Sequence, residues 1–98
     1  MADDHAFLAE LEALLDQRLR DRPEGSYVTR LTDRGARRVA QKVGEEGLEC
    51  ALAVATGDRE EAREEAADLL FHLMLALRQV DLRLADIVAV LAQRHRDR

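Results

Sequence analysis

The sequence predicts an all-α fold: a single domain of four to five helices around a central antiparallel helical hairpin. Apolar residues recur at spacings of three and four along most of the chain, and no alternating strand pattern competes with them. Gly57 followed by Asp58 marks a tight turn between two long helical segments. At 98 residues, the chain is one small domain (1–98) with a thin core, so self-association is expected.

The first helix is predicted to follow Asp3 and Asp4, either of which can cap it, and to stop at Pro23 and Gly25. Its apolar face consists of Phe7, Leu8, Leu11, Leu14, Leu15 and Leu19. The sequence then predicts a loop that contains Ser26, Tyr27 and Thr29.

The second helix is predicted to begin after Thr32 or Asp33 and to end near Thr56, where Gly57 stops it. Its apolar face consists of Ala36, Val39, Ala40, Val43, Cys50 and Val54. Asp58 is placed to cap the third helix, and Glu61 completes a variant of the capping box.

The third helix presents eight apolar residues on one face: Ala62, Ala66, Leu69, Leu70, Leu73, Met74, Leu77 and Val80. Residues 81–83 break the pattern before a last helix that carries Leu84, Ile87, Val88 and Leu91. The charged tail, residues 94–98, is expected to fray.

Composition disfavours several classes of function. A net charge of -5 and an aromatic content of 3% disfavour nucleic-acid binding, which relies on cations and stacking rings. No apolar stretch approaches the roughly 20 residues of a membrane span. Cys50 has no cysteine partner in the chain, and residues 1–4 do not resemble the start of a signal peptide, so a cytoplasmic location is expected.

The hairpin turn at Gly57 predicts which residues face each other, because residues equally far from the turn lie at the same level. Glu49 is then opposite Glu65, and Glu46 is opposite Asp68 one turn further out. Lys42 and His72 form the next level. Either acidic pair alone would be typical of a solvated helix surface, but the two pairs coincide across an independently marked turn.

Carboxylates gathered in this way repel one another unless a cation joins them. Oxygen ligands without cysteine suit Mg²⁺ or Mn²⁺, and Mg²⁺ commonly takes phosphate oxygens as further ligands. Lys42 fits a phosphate contact or a simple helical partner of the neighbouring glutamates. His72 fits a ligand, an acid or base, or a histidine at the edge of the core.

A family resemblance is carried by Ser26-Tyr27 and by residues 43–49 and 65–73. Their acidic residues follow the order E-E-x-x-E and then E-x-x-D, with a histidine four residues later and a closing Arg94-His95. This ordered set resembles the phosphoribosyl-ATP pyrophosphohydrolases, members of the MazG-type all-α nucleotide pyrophosphohydrolases. Gly47 and Arg83 depart from the family pattern, at positions that do not touch the acids.

The resemblance implies a cytoplasmic homodimer that cleaves phosphoribosyl-ATP between its α and β phosphates, with Mg²⁺, in histidine biosynthesis. It implies four metal ligands, Glu46, Glu49, Glu65 and Asp68, which with Glu45 form the predicted catalytic set. Glu45 would be a further ligand or would orient the attacking water. The predicted substrate-binding residues are Lys42, Ser26, Tyr27 and His72.

Related bifunctional enzymes add a cyclohydrolase domain whose cysteine and histidine ligands have no counterpart in these residues, so a single-function form is expected. Two other functions stay open. A housecleaning nucleoside triphosphate pyrophosphohydrolase would keep the acids and differ in residues 26–31. A noncatalytic helical dimerisation module would carry the acids only as a solvated stripe.

Overall fold

The computed structural model describes residues 4–96, and every element over that range is helical. A short 3-10 helix, Asp4–Ala6, precedes five α-helices: α1 (Phe7–Asp21), α2 (Tyr27–Asp33), α3 (Ala36–Thr56), α4 (Arg59–Gln79) and α5 (Leu84–Arg96). The all-α prediction is confirmed. No helix in the described range is long and apolar enough to span a membrane.

The start of α1 differs from the prediction. Asp4 lies within the 3-10 turn, and Ala6 at the cap position forms no side-chain hydrogen bond. The extra turn moves the first α-helical N–H groups beyond the reach of Asp4, so its side chain does not cap the helix. Asp3, the alternative cap, lies outside the described residues, as do the last two residues of the charged tail. The tail is helical as far as Arg96.

The predicted loop after Gly25 was wrong, because most of it forms α2. Ser26 has an extended backbone, and its side chain accepts a hydrogen bond from the Thr29 N–H at 3.5 Å, as an N-cap does. Val28 and Leu31, three residues apart, are buried against the rest of the protein. Two apolar positions are too few to establish a helical period, which is why the sequence pattern missed this helix.

Helices α3 and α4 form the predicted hairpin, and their contact is the most extensive in the fold. Gly57 adopts a left-handed φ of 75°, and the Asp58 N–H donates to the Ala53 carbonyl at 2.9 Å. The Asp58 carboxylate accepts from the Glu61 N–H at 3.1 Å, which confirms the predicted cap. Helix α3 begins only at Ala36, because α2 already occupies the residues predicted to start it.

The core lies at the open end of the hairpin, where α1 and α2 pack against it. Its buried residues are Leu15, Val28, Leu31, Val39, Met74 and Leu75. The other half of the hairpin projects beyond this core, and Ala53 is its one buried apolar residue among those described. Val54, predicted to face the core, is 66% exposed there, because no helix within residues 4–96 covers the turn end.

Helix α5 is attached to α1 by polar contacts at its first residue. The Glu12 carboxylate accepts from the Leu84 N–H at 2.7 Å, and the Asp86 carboxylate accepts from the Arg83 N–H at 2.8 Å. These two carboxylates therefore accept hydrogen bonds from the N–H groups at the start of α5, where the sequence has Arg83 instead of a residue that caps a helix well. Arg83 also donates to Asp16 on α1 at 2.9 Å.

Candidate active site

The acids at the centre of the predicted site come together in one pair, Glu49 on α3 and Glu65 on α4. The Glu49 carboxylate, followed by partial burial and Glu61, raises the pKa of Glu65 from 4.5 to about 7. The Oε2 atom of Glu65 is buried and has no hydrogen-bond partner within residues 4–96. The predicted level of these two residues is therefore correct, and the pair is short of positive charge.

Glu46 is one turn closer to the core and is itself buried, with 7% of its surface exposed. Its Oε1 atom contacts Nδ1 of His72 rather than Asp68, its predicted neighbour. Helical side chains lean towards the N-terminus of their own helix, so the His72 ring lies over the turn below it, beside the Asp68 backbone. Nδ1 of His72 is 2.9 Å from the Asp68 carbonyl oxygen. The Asp68 residue itself is exposed.

His72 connects this acidic region to α2. Its Nε2 atom lies 2.7 Å from the hydroxyl oxygen of Tyr27, and only 6% of the residue is exposed. Nδ1 faces a carbonyl oxygen and a carboxylate oxygen, which are hydrogen-bond acceptors, so the geometry favours the tautomer with a proton on Nδ1. In that tautomer Nε2 accepts from the Tyr27 hydroxyl. The polar atoms of these two predicted substrate-binding residues therefore bind each other.

Lys42 is an i,i+3 partner of Glu45, which is one of the two roles expected for it from the sequence. Its Nζ atom is 4.0 Å from Glu45 Oε1, and Arg38 approaches the same oxygen at 3.8 Å. Gln41 donates to the other oxygen of Glu45 at 3.3 Å. Glu45 therefore interacts with the residues that precede it on α3, and the Glu49 and Glu65 pair lies one turn further along the helix.

Two cavities lie on either side of Tyr27. The first, of about 400 Å³, is bounded by the end of α1, the turn before α2 and Phe71, and Ser26 lines it. The second, of about 360 Å³, lies between α2 and the start of α3 and includes Lys42. Tyr27 is 41% exposed, so its ring forms a shared wall between the two.

The second cavity contains functional candidates that the sequence reasoning missed, namely Arg30, Arg34 and Arg38. The sequence contained a signal for them, because these three arginines and Lys42 follow one another at intervals of four residues, in a chain that is acidic as a whole. The predicted helix boundaries hid it, since residues 30 and 34 were assigned to a loop and a helix start.

Gly44 and Gly47 leave space on α3 beside the acids. A Cβ atom at Gly44 would meet nothing within 4 Å, and one at Gly47 would come only to 4.0 Å from Leu69 Cδ1. Close helix packing therefore does not require a glycine at either position.

The carboxylates fit a hard divalent cation in donor type and charge, and buried oxygens of Glu46 and Glu65 are without a well-formed hydrogen bond. As placed, the side chains of residues 4–96 do not bring three His, Cys, Asp or Glu groups around one point. A site with the four predicted ligands would need side-chain rotation on the exposed Glu49 and Asp68.

Comparison with known proteins is consistent with this arrangement. The family model described as phosphoribosyl-ATP pyrophosphohydrolase matches residues 8–95. The chain is 54% identical over 91 residues to the histidine biosynthesis bifunctional protein HisIE of Xanthomonas campestris, covering 92% of the chain and 44% of that protein. It is 46% identical over 94 residues to the protein of the same name from Yersinia pestis, covering 96% of the chain and 46% of the relative. The chain thus spans less than half the length of these relatives.

Proposed function

The chain belongs to the phosphoribosyl-ATP pyrophosphohydrolase family, and we propose that it hydrolyses the α–β phosphoanhydride bond of phosphoribosyl-ATP in histidine biosynthesis. The products would be phosphoribosyl-AMP and pyrophosphate. One observation supports the proposal beyond family membership. The Glu49 and Glu65 pair, which is short of positive charge, lies between α3 and α4, and the first two turns of α3 line a basic cavity. A phosphate ester with a bound cation has the complementary charges.

We propose that Glu46, Glu49, Glu65 and Asp68 hold Mg²⁺, or Mn²⁺ in its place. When bound, such a cation screens phosphate charge and makes an attacking water more acidic. The orphaned Oε2 atom of Glu65 supports this ligand set, because it lacks the hydrogen bond that a buried carboxylate oxygen normally has.

We propose that other side chains position the acids, orient water and bind phosphate. Tyr27 and His72 fix the position of Glu46 from behind, since His72 contacts both of them. Glu45 is held by Gln41 at 3.3 Å and stands beside two cations, which is a suitable setting for a carboxylate that orients water. Lys42, next to Glu45, would bind phosphate oxygens.

We also propose that the chain acts as a homodimer in the cytoplasm. Its accessible surface is 7272 Å², against about 5,600 Å² for a compact monomer of this mass. Its radius of gyration is 15.0 Å, against about 12.5 Å for a compact chain of this length. Exposed Leu48, Leu52 and Val54 on the projecting half of the hairpin account for part of the excess. A monomer by sedimentation velocity at micromolar concentration would contradict the dimer.

The activity is tested by pyrophosphate release, with and without Mg²⁺, from phosphoribosyl-ATP and from a panel of nucleoside triphosphates at equal concentration. Strong preference for phosphoribosyl-ATP, lost on chelation, is the expected result. Comparable turnover of ordinary triphosphates would instead indicate a housecleaning enzyme. A folded sample that releases no pyrophosphate from any of these substrates would indicate the noncatalytic helical module.

A further inference from the structure

The cavity between α2 and the start of α3 is unusually basic for this chain. Four of its six lining residues are cations: Arg30, Arg34, Arg38 and Lys42. Residues 30–42 contain five of the 15 Lys and Arg residues and one acid, Asp33, although the chain carries a net charge of -5. That one acid is paired with Arg22 outside the cavity. The region is therefore a local positive patch on an acidic protein.

Most of these cationic side chains lack a close ion pair within the described part of the chain. The Arg34 guanidinium forms no hydrogen bond or ion pair there. Arg38 Nε is buried without a hydrogen-bond partner, and Arg38 and Lys42 share the single Glu45 carboxylate at 3.8 and 4.0 Å. These distances exceed those of charge-assisted hydrogen bonds, so the guanidinium groups keep free donors for an anion.

Two further features favour an anionic ligand. The cap position of helix α3 is occupied by Gly35, which has no side chain to cap it, and the first turn of the helix contains no acidic residue. The positive end of the helix dipole is therefore not neutralised. The Arg30 guanidinium lies 6.0 Å from the centre of the Tyr27 ring and donates to the Gly25 carbonyl at 2.7 Å. These contacts orient Arg30 at the edge of the cavity.

We propose that this basic cavity is the subsite for a substrate phosphate remote from the scissile bond, with Arg34 and Arg38 as its main ligands. The proposal rests on the proposed function. Arg38 is two turns before Glu46 on α3, so the cavity begins roughly 6 to 12 Å along the helix from the acids. A remote phosphate has two sources: the terminal phosphate of the triphosphate and the 5′-phosphate of the added ribose.

The test is Arg34→Gln, with Arg59→Gln as the matched control. Both arginines are exposed, and neither side chain forms a hydrogen bond or ion pair within residues 4–96, so neither change removes an interaction of that kind from the fold. Arg59 lies at the hairpin turn, away from the cavity. We expect Arg34→Gln to raise KM for phosphoribosyl-ATP about tenfold or more, as for loss of a charge-assisted hydrogen bond, with kcat within about twofold. Arg59→Gln should match the unmodified protein.

Two arms identify the source of the phosphate. If the cavity binds the ribose 5′-phosphate, Arg34→Gln raises KM for phosphoribosyl-ATP but not for ATP and weakens inhibition by phosphoribosyl-AMP. If it binds the terminal phosphate, KM rises for both substrates and inhibition by pyrophosphate weakens. Either result supports the subsite. Arg34→Gln behaving like Arg59→Gln in KM and in both inhibition constants would overturn it.

The same variants separate failure of this proposal from failure of the proposed function. If the unmodified protein does not hydrolyse phosphoribosyl-ATP, binding of inorganic pyrophosphate is measured by calorimetry without turnover. Weaker pyrophosphate binding by Arg34→Gln than by Arg59→Gln would then support an anion subsite in a protein of other function. Equal binding by all three proteins, or none, would refute it.

Discussion

Replacing Glu49 by Gln tests the electrostatics of the acidic pair directly. Glu49 is the largest cause of the raised pKa of Glu65, which moves from 4.5 to about 7. Glutamine has nearly the same shape and no charge, so the pKa of Glu65 should fall back towards its ordinary value. The variant should also lose nearly all Mg²⁺-dependent turnover, because a carboxylate that we propose as a metal ligand is replaced by a neutral amide.

The size of the effect follows from the pKa. With a pKa of about 7, Glu65 holds a proton in about half of the cation-free molecules at pH 7 and in about nine tenths at pH 6. A cation bound by this carboxylate must displace that proton. Mg²⁺ binding to the unmodified protein should therefore release about half a proton per chain at pH 7 and about 0.9 at pH 6 from this group.

The pH dependence of stability has a definite sign. The folded protein retains a proton on Glu65 that the unfolded chain has already lost above pH 4.5. Its free energy of unfolding should therefore fall as pH rises from about 4.5 to about 7, and this contribution is absent above that range. In Glu49→Gln the fall should largely disappear, so the variant should be at least as stable as the unmodified protein at pH 8.

Three measurements check this chain of reasoning. Carboxyl ¹³C NMR gives the Glu65 titration midpoint, thermal melts at pH 5 and pH 8 give the stability trend, and calorimetry in two buffers gives proton release. Glu64→Gln is the matched control, since Glu64 is exposed and lies next to Glu65 in sequence. A Glu65 midpoint near 4.5 in the unmodified protein, or one that Glu49→Gln leaves unchanged, would refute the reasoning.

Three further changes probe other parts of the structure. Asp58→Ala removes the acceptor for the Glu61 N–H and should lower the free energy of unfolding by about 1 kcal/mol in urea titrations. Gly44→Ala meets no atom within 4 Å and should raise it by about 0.5 to 1 kcal/mol; a simultaneous fall in kcat/KM would show that substrate needs this space. Burial opposes but does not outweigh the Arg78 and Arg83 hydrogen bonds that lower the pKa of Asp16. Asp16→Asn should therefore lower the free energy of unfolding by about 2 kcal/mol at pH 7. Denaturant titrations should show this difference shrinking as the pH falls below 3.8, because the Asp16 carboxyl of the unmodified protein then takes up its proton.

The hairpin was predictable because its signals are local and redundant. Gly57 and Asp58 determine the turn within two residues, and the turn then places Glu49 opposite Glu65 whatever the rest of the fold does. The partner of Glu46 was not predictable in the same way. Counting residues locates backbones, whereas His72 reaches Glu46 because its ring leans back over the preceding turn of α4.

The missed helix α2 and the exposed Val54 have a common physical origin. Both depend on what covers a short apolar segment, which the periodicity of that segment does not specify. Val28 and Leu31 are buried because α1 and the hairpin happen to meet over them. Val54 is equally apolar, but it lies at the projecting end of the hairpin, where no other helix of residues 4–96 covers it.

The order of charges along α3 determines how a substrate would lie on it. Arg38 and Lys42 occupy the first two turns, and Glu46 and Glu49 follow in the next two. A polyphosphate with its divalent cation carries both signs, so the cation side is attracted to the acids and the remote phosphate to the cations. The reverse orientation would place phosphate oxygens against Glu49 and Glu65, where like charges a few ångströms apart repel in a partly dry site. The order of charges along α3 thus separates the place of the metal-bound phosphates from that of the remote phosphate, whichever of the two remote phosphates it is. Glu45, the carboxylate that we propose to orient water, lies in sequence between the two groups of charges.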